Sequence, residues 1–510
     1  MTQTDKPLRS KRPRRPKGRD LRPITANEVA IGLARSPMLT ELCAELDHLE
    51  DPVATAQPWE RGTGRAGRKP LHPPEVMVLF GVVATLVAND RLTQATLQSP
   101  EVWEPIRAHL APLFPAYKGL QPGARGPNRS QFNRFCNKAQ NQEFLDSVST
   151  GFETASASLA LRMGLCDPDR HQPTNPDLRD LLIGDGTVVK SRFNESKGAR
   201  QVDRETGEIV FIRHDPDASH QHRKNDADEI IRTDVAGTMF GLLHASTSEV
   251  GENVMVAAYH VPDGVSEMQA SMDAIRRLKT HRLPGIDGVL YDKAARGVDI
   301  QAGFEMGVQI HAKVHLANKK TNTPKQQLID TGLPARRDGE VVGRVNIVAI
   351  AGAAHIQVHI AGKDEHVMLE PGQVLPRPTR ASSLGRVYRD YQIPDDARVP
   401  ARLRGGTVRI RHTTNDDDRK RKLNRTEALR LIAVGHDNFG TVTARSRAES
   451  LNEWMKRWWP DKRAPAVGKA RQTMRLIFSG IGLNYTAGIR YRERTGTDVL
   501  GPPGLLTAAA

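Results

Sequence analysis

Two apolar runs, far apart in the chain, each lead into an aspartate, and this pairing constrains the fold more than any other feature. Leu181–Ile183 run into Asp185, and Val289–Tyr291 into Asp292. Short apolar runs with polar boundaries read as buried strands. An acid at the end of such a strand is costly to desolvate unless a partner or a cation compensates it. The plainer alternative is an acid that turns into solvent at a loop. Around both runs, the segment after Pro176 alternates β-rich and helical stretches. Residues 178–191, 238–248 and 254–262 read as three strands, 266–281 as a helix, and 286–292 as a fourth strand. A second helix over 295–307 and a fifth strand over 308–315 complete the unit. The pattern predicts an α/β domain over 177–315, in which an antiparallel meander leads into parallel strands.

The flanks are patterned differently. Residues 1–23 are dominated by Arg and Lys, with Pro7, Pro13, Pro16 and Pro23 opposing a helix, so a disordered basic arm is expected. Helical spacing predicts an all-helical region over 24–176, with one helix through Ala30–Leu46 and another from Pro74 to Ala88. Between them lies a Gly-rich basic loop, 61–70. In 127–140, Ser130 is the expected N-cap of a helix that carries Arg129 and Arg134 as candidate DNA contacts, compatible with helix-turn-helix reading. An ordinary packing helix fits the same residues. Beyond 315, strand-like runs at 343–352, 354–362, 366–371 and 407–413 are separated by Pro and charge clusters such as 415–422. They predict a β-rich insertion over 316–440. Helices over 441–495 are then expected to complete the α/β domain, and 496–510 to be a flexible tail.

Composition narrows the partner. The 510 residues carry a formal net charge of +15, a surplus that suits a polyanion, because each phosphate neutralised releases condensed counterions. Cys43, Cys136 and Cys166 form no CxxC pair, so small buried hydrophobes in a reducing cytoplasm are expected. The longest apolar stretch, 76–88, falls short of the roughly 20 residues a membrane span requires, and no signal peptide is visible, so no membrane partner is expected.

The candidate chemistry is phosphodiester cleavage. It calls for carboxylates that hold two Mg²⁺ or Mn²⁺ ions about 3.5–4 Å apart. Glu449 is the third candidate carboxylate, with Glu453 its rival. At helical spacing Val442, Arg445, Glu449 and Lys456 share one face, so an acid there reaches a metal while Arg445 and Lys456 reach phosphates. A solvated charged face has the same spacing. Lys313, His315, Lys319 and Lys320 are candidate phosphate contacts after the fifth strand, or else an exposed basic edge. The stretch 214–229, with His214, His220 and His222 among acids, fits no standard zinc spacing and reads as a solvated polar loop. Trp454, Trp458 and Trp459 read as stacking or core residues.

The strings IGDGTVVK, GVLYDKAARG and ARSRAESLNEWMK resemble the three catalytic blocks of DDE transposases from bacterial insertion sequences. The group most similar has a Tyr-x2-Arg-x3-Glu-x6-Lys signature and a β-rich insertion. Arg445, Glu449 and Lys456 match it, whereas Val442 stands at the Tyr position. The resemblance spans about 180–490 and implies an RNase H-like catalytic core. It implies that Asp185, Asp292 and Glu449 bind two divalent metals, that an activated water cleaves at the element's ends, and that the freed 3′-hydroxyl attacks target DNA. It further implies that Arg445 and Lys456 lie near the cleavage site, with a homodimer acting on paired ends in the bacterial nucleoid. A nuclease of the same core without strand transfer, and a non-catalytic DNA-binding descendant of a transposase, are the competing readings.

Overall fold

A computed structural model describes residues 70–87, 89–172, 174, 176–192, 199–202, 209–212, 215–224, 230–247, 249–312, 326–380, 382–431, 447, 451–452, 459 and 462–500. The basic arm, the expected helix through Ala30–Leu46 and nearly all of the Gly-rich loop lie outside them. The described residues form a mixed α/β structure, with helices first and large β-sheets after. Among them, no helix is long and apolar enough to cross a membrane.

The first part is helical, as the spacing predicts: α1 (Pro74–Val87), α2 (Asp90–Gln98), α3 (Pro100–Leu113), α4 (Arg129–Asn137) and α5 (Gln142–Arg162). The cap of α4 differs from expectation. Asn128, not Ser130, is the N-cap: Gln131 N–H donates to Asn128 Oδ1 (3.0 Å) and Asn128 N–H to Gln131 Oε1 (2.8 Å). Asn ranks with Ser as a cap, and a Gln at the third helical position closes a capping box that Ser130 has no means to form. Phe132, Phe135 and Cys136 of α4 enter the core, where Phe132 stacks on Phe80 at 4.6 Å between centroids.

The central sheet follows. Its strands are β1 (Leu181–Lys190), β4 (Ser219–Lys224), β5 (Ile230–Ser246), β6 (Asn253–His260), β7 (Gly288–Leu290) and β8 (Gln309–His311), while β2 (Ala199–Val202) and β3 (Ile209–Ile212) pair only with each other. The order runs β8–β7–β1–β5, with β6 on the far side of β5. β5 is antiparallel to β1 and β6, whereas β1, β7 and β8 are mutually parallel. The two crossovers contain α6 (Glu267–His281) and α7 (Gly297–Glu305). Parallel strands are buried on both faces, which is why 286–291 is apolar almost without interruption and has no exposed residue.

The described part of the polar stretch 214–229, residues 215–224, is not simply a solvated loop. β4 occupies its middle and pairs with the first half of β5, and Asp215 is buried. Asp215 Oδ1 accepts from Gly468 N–H (3.1 Å) and Asp217 Oδ2 from Lys469 N–H (2.8 Å). These are the first N–H groups of α10, defined below, so the two acids satisfy donors that every helix start leaves open.

The insertion forms a second sheet of antiparallel strands: β9 (Gln326–Arg337), β10 (Glu340–Ile350), β11 (Ala353–Ile360), β12 (Lys363–Met368), β13 (Glu370–Arg377), β14 (Arg386–Gln392) and β15 (Thr407–Arg411). Its apolar cluster, with Ile329, Ile347, Ile356 and Ile410, is separate from the main core. The charge cluster at 415–422 contains a short helix, α8 (Asp416–Lys420), capped by Asn415, and α9 (Arg425–Ala428) follows it. Buried Arg425 ties them to β9, donating to both oxygens of Asp330 (2.7 and 2.5 Å) and to Asp418 Oδ1 (2.9 Å).

Last comes α10 (Lys469–Thr495), which packs against β6, α1 and α5 and ends at Gly496 in the left-handed conformation, φ 72°. It approaches closely because Gly480 has no side chain: a Cβ there would lie 2.6 Å from Phe152 Cζ. Val499 and Leu500, which the sequence places in a flexible tail, are buried.

Candidate active site

β1 leaves the core at the acid. Leu181–Gly184 are buried, and Asp185 and Gly186 are half-buried. β7 runs parallel beside it with Leu181 opposite Gly288, Leu182 opposite Val289 and Ile183 opposite Leu290. Asp185 and Asp292 each lie two residues past the last of these pairs. Both strands therefore deliver an acid at the same end of the sheet. Asp292 is held by its own loop, with Ala294 N–H donating to Asp292 Oδ1 at 2.7 Å. Gly184 is required here, because a Cβ would lie 2.4 Å from the Tyr291 ring.

A third segment reaches Asp185 from far along the sequence. Arg447, Leu451 and Asn452 are helical. Leu451 joins the main core, and Arg447 Nη1 donates to Ser246 Oγ (3.0 Å) and the Thr247 carbonyl (2.5 Å) at the end of β5. Asn452 is buried, and its Nδ2 donates to Asp185 Oδ2 at 2.5 Å. Glu449, Glu453, Arg445, Lys456, Trp454 and Trp458 lie outside the described residues, as do Lys313, His315, Lys319, Lys320, His214 and Cys43. Trp459 is buried in the main core.

Sequence reasoning missed one acid. Glu267, at the start of α6, accepts from the Tyr291 hydroxyl on Oε1 at 2.6 Å. Its carboxyl group sits over the backbone of Gly186, where a Cβ would come within 2.1–2.4 Å of it. Burial first, and then the charges of Asp292 and Asp185, push its pKa up to about 7, against the opposing hydrogen bonds from Tyr291 and the Gly186 backbone. Tyr291 is itself held: Tyr259 OH donates to Ser271 Oγ (2.7 Å), and Ser271 Oγ is 2.8 Å from Tyr291 OH.

The donor set suits a hard cation. Carboxylate and amide oxygens are the ligands of Mg²⁺ and Mn²⁺, and no thiol or imidazole is among the groups named here. Among the described residues, no three His, Cys, Asp or Glu side chains are gathered tightly enough to hold an ion as they stand. Like charges repel, so acids that share a cation spread apart without it.

The two N-terminal candidates have different settings. Arg134 is exposed on α4, with its Nε–H donating to the Ser130 carbonyl at 3.3 Å. Arg129 is half-buried, and its backbone N–H donates to Gln94 Oε1 at 3.0 Å. Exposed Ser130, Asn133 and Asn137 share the outer side of α4 with Arg134. The helix is thus both a packing element and a polar, basic surface. The chain matches no protein-family model, no curated protein and no solved structure.

Proposed function

We propose that this chain is a DNA-cleaving and DNA-joining enzyme, a DDE transposase with an RNase H-like core, in which Asp185, Asp292 and Glu449 hold two divalent cations. One observation carries this reading: β1 and β7 pair in parallel up to Ile183 and Leu290, each two residues before an aspartate, and Asn452 Nδ2 donates to Asp185 Oδ2. Glu449 stands three positions before Asn452 in the sequence, a spacing that shares a face on a helix. The strand order and sense, an antiparallel β6–β5–β1 meander followed by parallel β7 and β8, support the core assignment.

When bound, Mg²⁺ or Mn²⁺ would supply the charge that favours both the attacking and the leaving oxygen. The chain's own groups orient the ligands. The Asn452 amide fixes one Asp185 oxygen, and the Ala294 N–H fixes one Asp292 oxygen. Arg445 and Lys456, together with Arg129 and Arg134 and the basic stretch containing Lys313, His315, Lys319 and Lys320, provide phosphate contacts. The net charge of +15 favours a polyanionic partner over a small neutral substrate. A homodimer on paired DNA ends and a cytoplasmic, nucleoid-associated location belong to the same proposal.

The test is an end-joining assay on linear duplex carrying the terminal repeats that flank the gene, with supercoiled plasmid as target and Mg²⁺ or Mn²⁺ present. Cleavage at the repeat ends and covalent joining to plasmid are expected. Both should be lost in Asp185→Asn, Asp292→Asn and Glu449→Gln while duplex binding persists. Cleavage without joined product would make the chain a nuclease only, and undiminished cleavage by all three variants would end the site assignment.

A further inference from the structure

We propose that Glu267 is a further carboxylate ligand of the cation site built on Asp185 and Asp292, contributed by the first turn of α6. This rests on the divalent-cation reading above and extends it to a residue outside the Asp-Asp-Glu set.

Position comes first. The carboxyl of Glu267 occupies the space above Gly186, the residue after Asp185, and only a residue without a Cβ leaves that space open. On its other side it is bonded by Tyr291, the residue before Asp292. Glu267 therefore sits between the neighbours of both aspartates, at the end of the sheet where β1 and β7 deliver them. The hydroxyl chain from Tyr259 through Ser271 to Tyr291 holds Oε1 as an acceptor, an arrangement that orients a carboxylate as outer-shell partners orient metal ligands.

An independent observation points to a ligand there. Asn452 is only 6% exposed, and its Nδ2 is on Asp185. Its Oδ1 is buried and has no hydrogen-bond partner among the described residues. A buried amide oxygen is normally satisfied. One left open beside a carboxylate is a hard oxygen donor with a vacant coordination direction, and a divalent cation with its bound water answers that vacancy. Asp185, Glu267 and this amide oxygen are all acceptors, and among the described residues no three acids are gathered tightly enough to hold an ion before it binds.

The experiment is calorimetric titration of the full chain with MnCl₂, comparing wild type with Glu267→Gln, Asp185→Asn and Asp292→Asn, each checked for folding by circular dichroism. Glutamine keeps the size and an acceptor for Tyr291 while removing the charge. The proposal expects at least a tenfold loss of Mn²⁺ affinity in Glu267→Gln and a comparable or larger loss in the two aspartate variants. Wild-type affinity in Glu267→Gln with binding lost in Asp185→Asn would overturn the role of Glu267 and leave the cation site standing. Wild-type affinity in both aspartate variants would overturn the cation reading itself, and Glu267 with it. Should Glu267→Gln fail to fold, Glu267→Asp withdraws the carboxylate by one methylene, and unchanged affinity there overturns the proposal equally.

Discussion

Tyr291 is the residue on which most of the site's packing depends. Its ring fills the space that Gly184 leaves, and its hydroxyl joins Ser271 to Glu267. Tyr291→Phe keeps the ring and removes both hydrogen bonds, leaving a buried carboxyl with one partner fewer. A loss of about 1–3 kcal/mol is expected, read as a lower urea midpoint at unchanged slope. An unchanged midpoint would mean that Glu267 is solvated and the hydroxyl chain contributes nothing. Legibility at this scale was uneven. The strands leading to Asp185 and Asp292 were readable because an apolar run that stops on an acid is visible in one dimension. Glu267 was not, because a Glu after Ser266 reads as an ordinary first-turn acid favoured by the helix dipole. Only the approach of Gly186 and Tyr291 in space marks it. The open Oδ1 of Asn452 is equally invisible without its neighbours.

Between elements, the insertion reaches the loop after Asp292. Thr426 Oγ1 of α9 donates to the Gly297 carbonyl (2.7 Å), Gly297 N–H donates to Glu427 Oε2, and buried Arg430 bridges Glu427 (2.9 Å) and the Ala295 carbonyl (3.3 Å). α9 and Arg430 thus grip residues three to five positions past an acid of the candidate site. Thr426→Val removes one of these bonds at nearly constant volume. Stability should fall by roughly 1 kcal/mol, while DNA cleavage under single-turnover conditions falls by up to about 10²-fold through a displaced ligand loop. The stability loss with an unchanged cleavage rate would reduce α9 to a packing element. Five strands of the central sheet were legible from their apolar runs, whereas β4 and the first half of β5, and β9 and β14 in the insertion, were passed over. β9 reads QQLIDTGLPARR, with Gly332 and Pro334 where strands avoid them. β14 reads RVYRDYQ, and its period-two pattern is masked because Arg389 lies on the buried side with Val387 and Tyr391.

For the whole molecule, buried histidines in the central sheet and in the insertion make the fold sensitive to acid. His244 in the central sheet is buried, and burial lowers its pKa to about 3. Burial, helped by the Arg389 charge, does the same to His311, and burial with Arg389 and Arg425 to His412 in the insertion. Each stays neutral in the folded chain at a pH where the unfolded chain, with its histidines near 6.5, takes up a proton. The stability they contribute is therefore complete above about pH 6.5 and is lost as pH falls toward 3. Melting temperature should drop across that window, and His244→Leu should flatten the drop. A melting temperature constant from pH 7 to 4 would contradict this. At this scale the alternation of helices and strands and the basic surplus were legible. The capping of α10 by Asp215 and Asp217 was not, because 253 and 252 positions separate the acids from the helix start.

The central claim is that Asp185, Asp292 and Glu449 meet around divalent cations. Anomalous diffraction at the manganese edge, from crystals of the full chain grown with MnCl₂ and duplex DNA, tests it most directly. The account predicts one or two manganese peaks within coordination distance of the Asp185 and Asp292 carboxylates, with Glu449 ligating. Density free of manganese between the two aspartates, or a Glu449 carboxylate far from both, would contradict it.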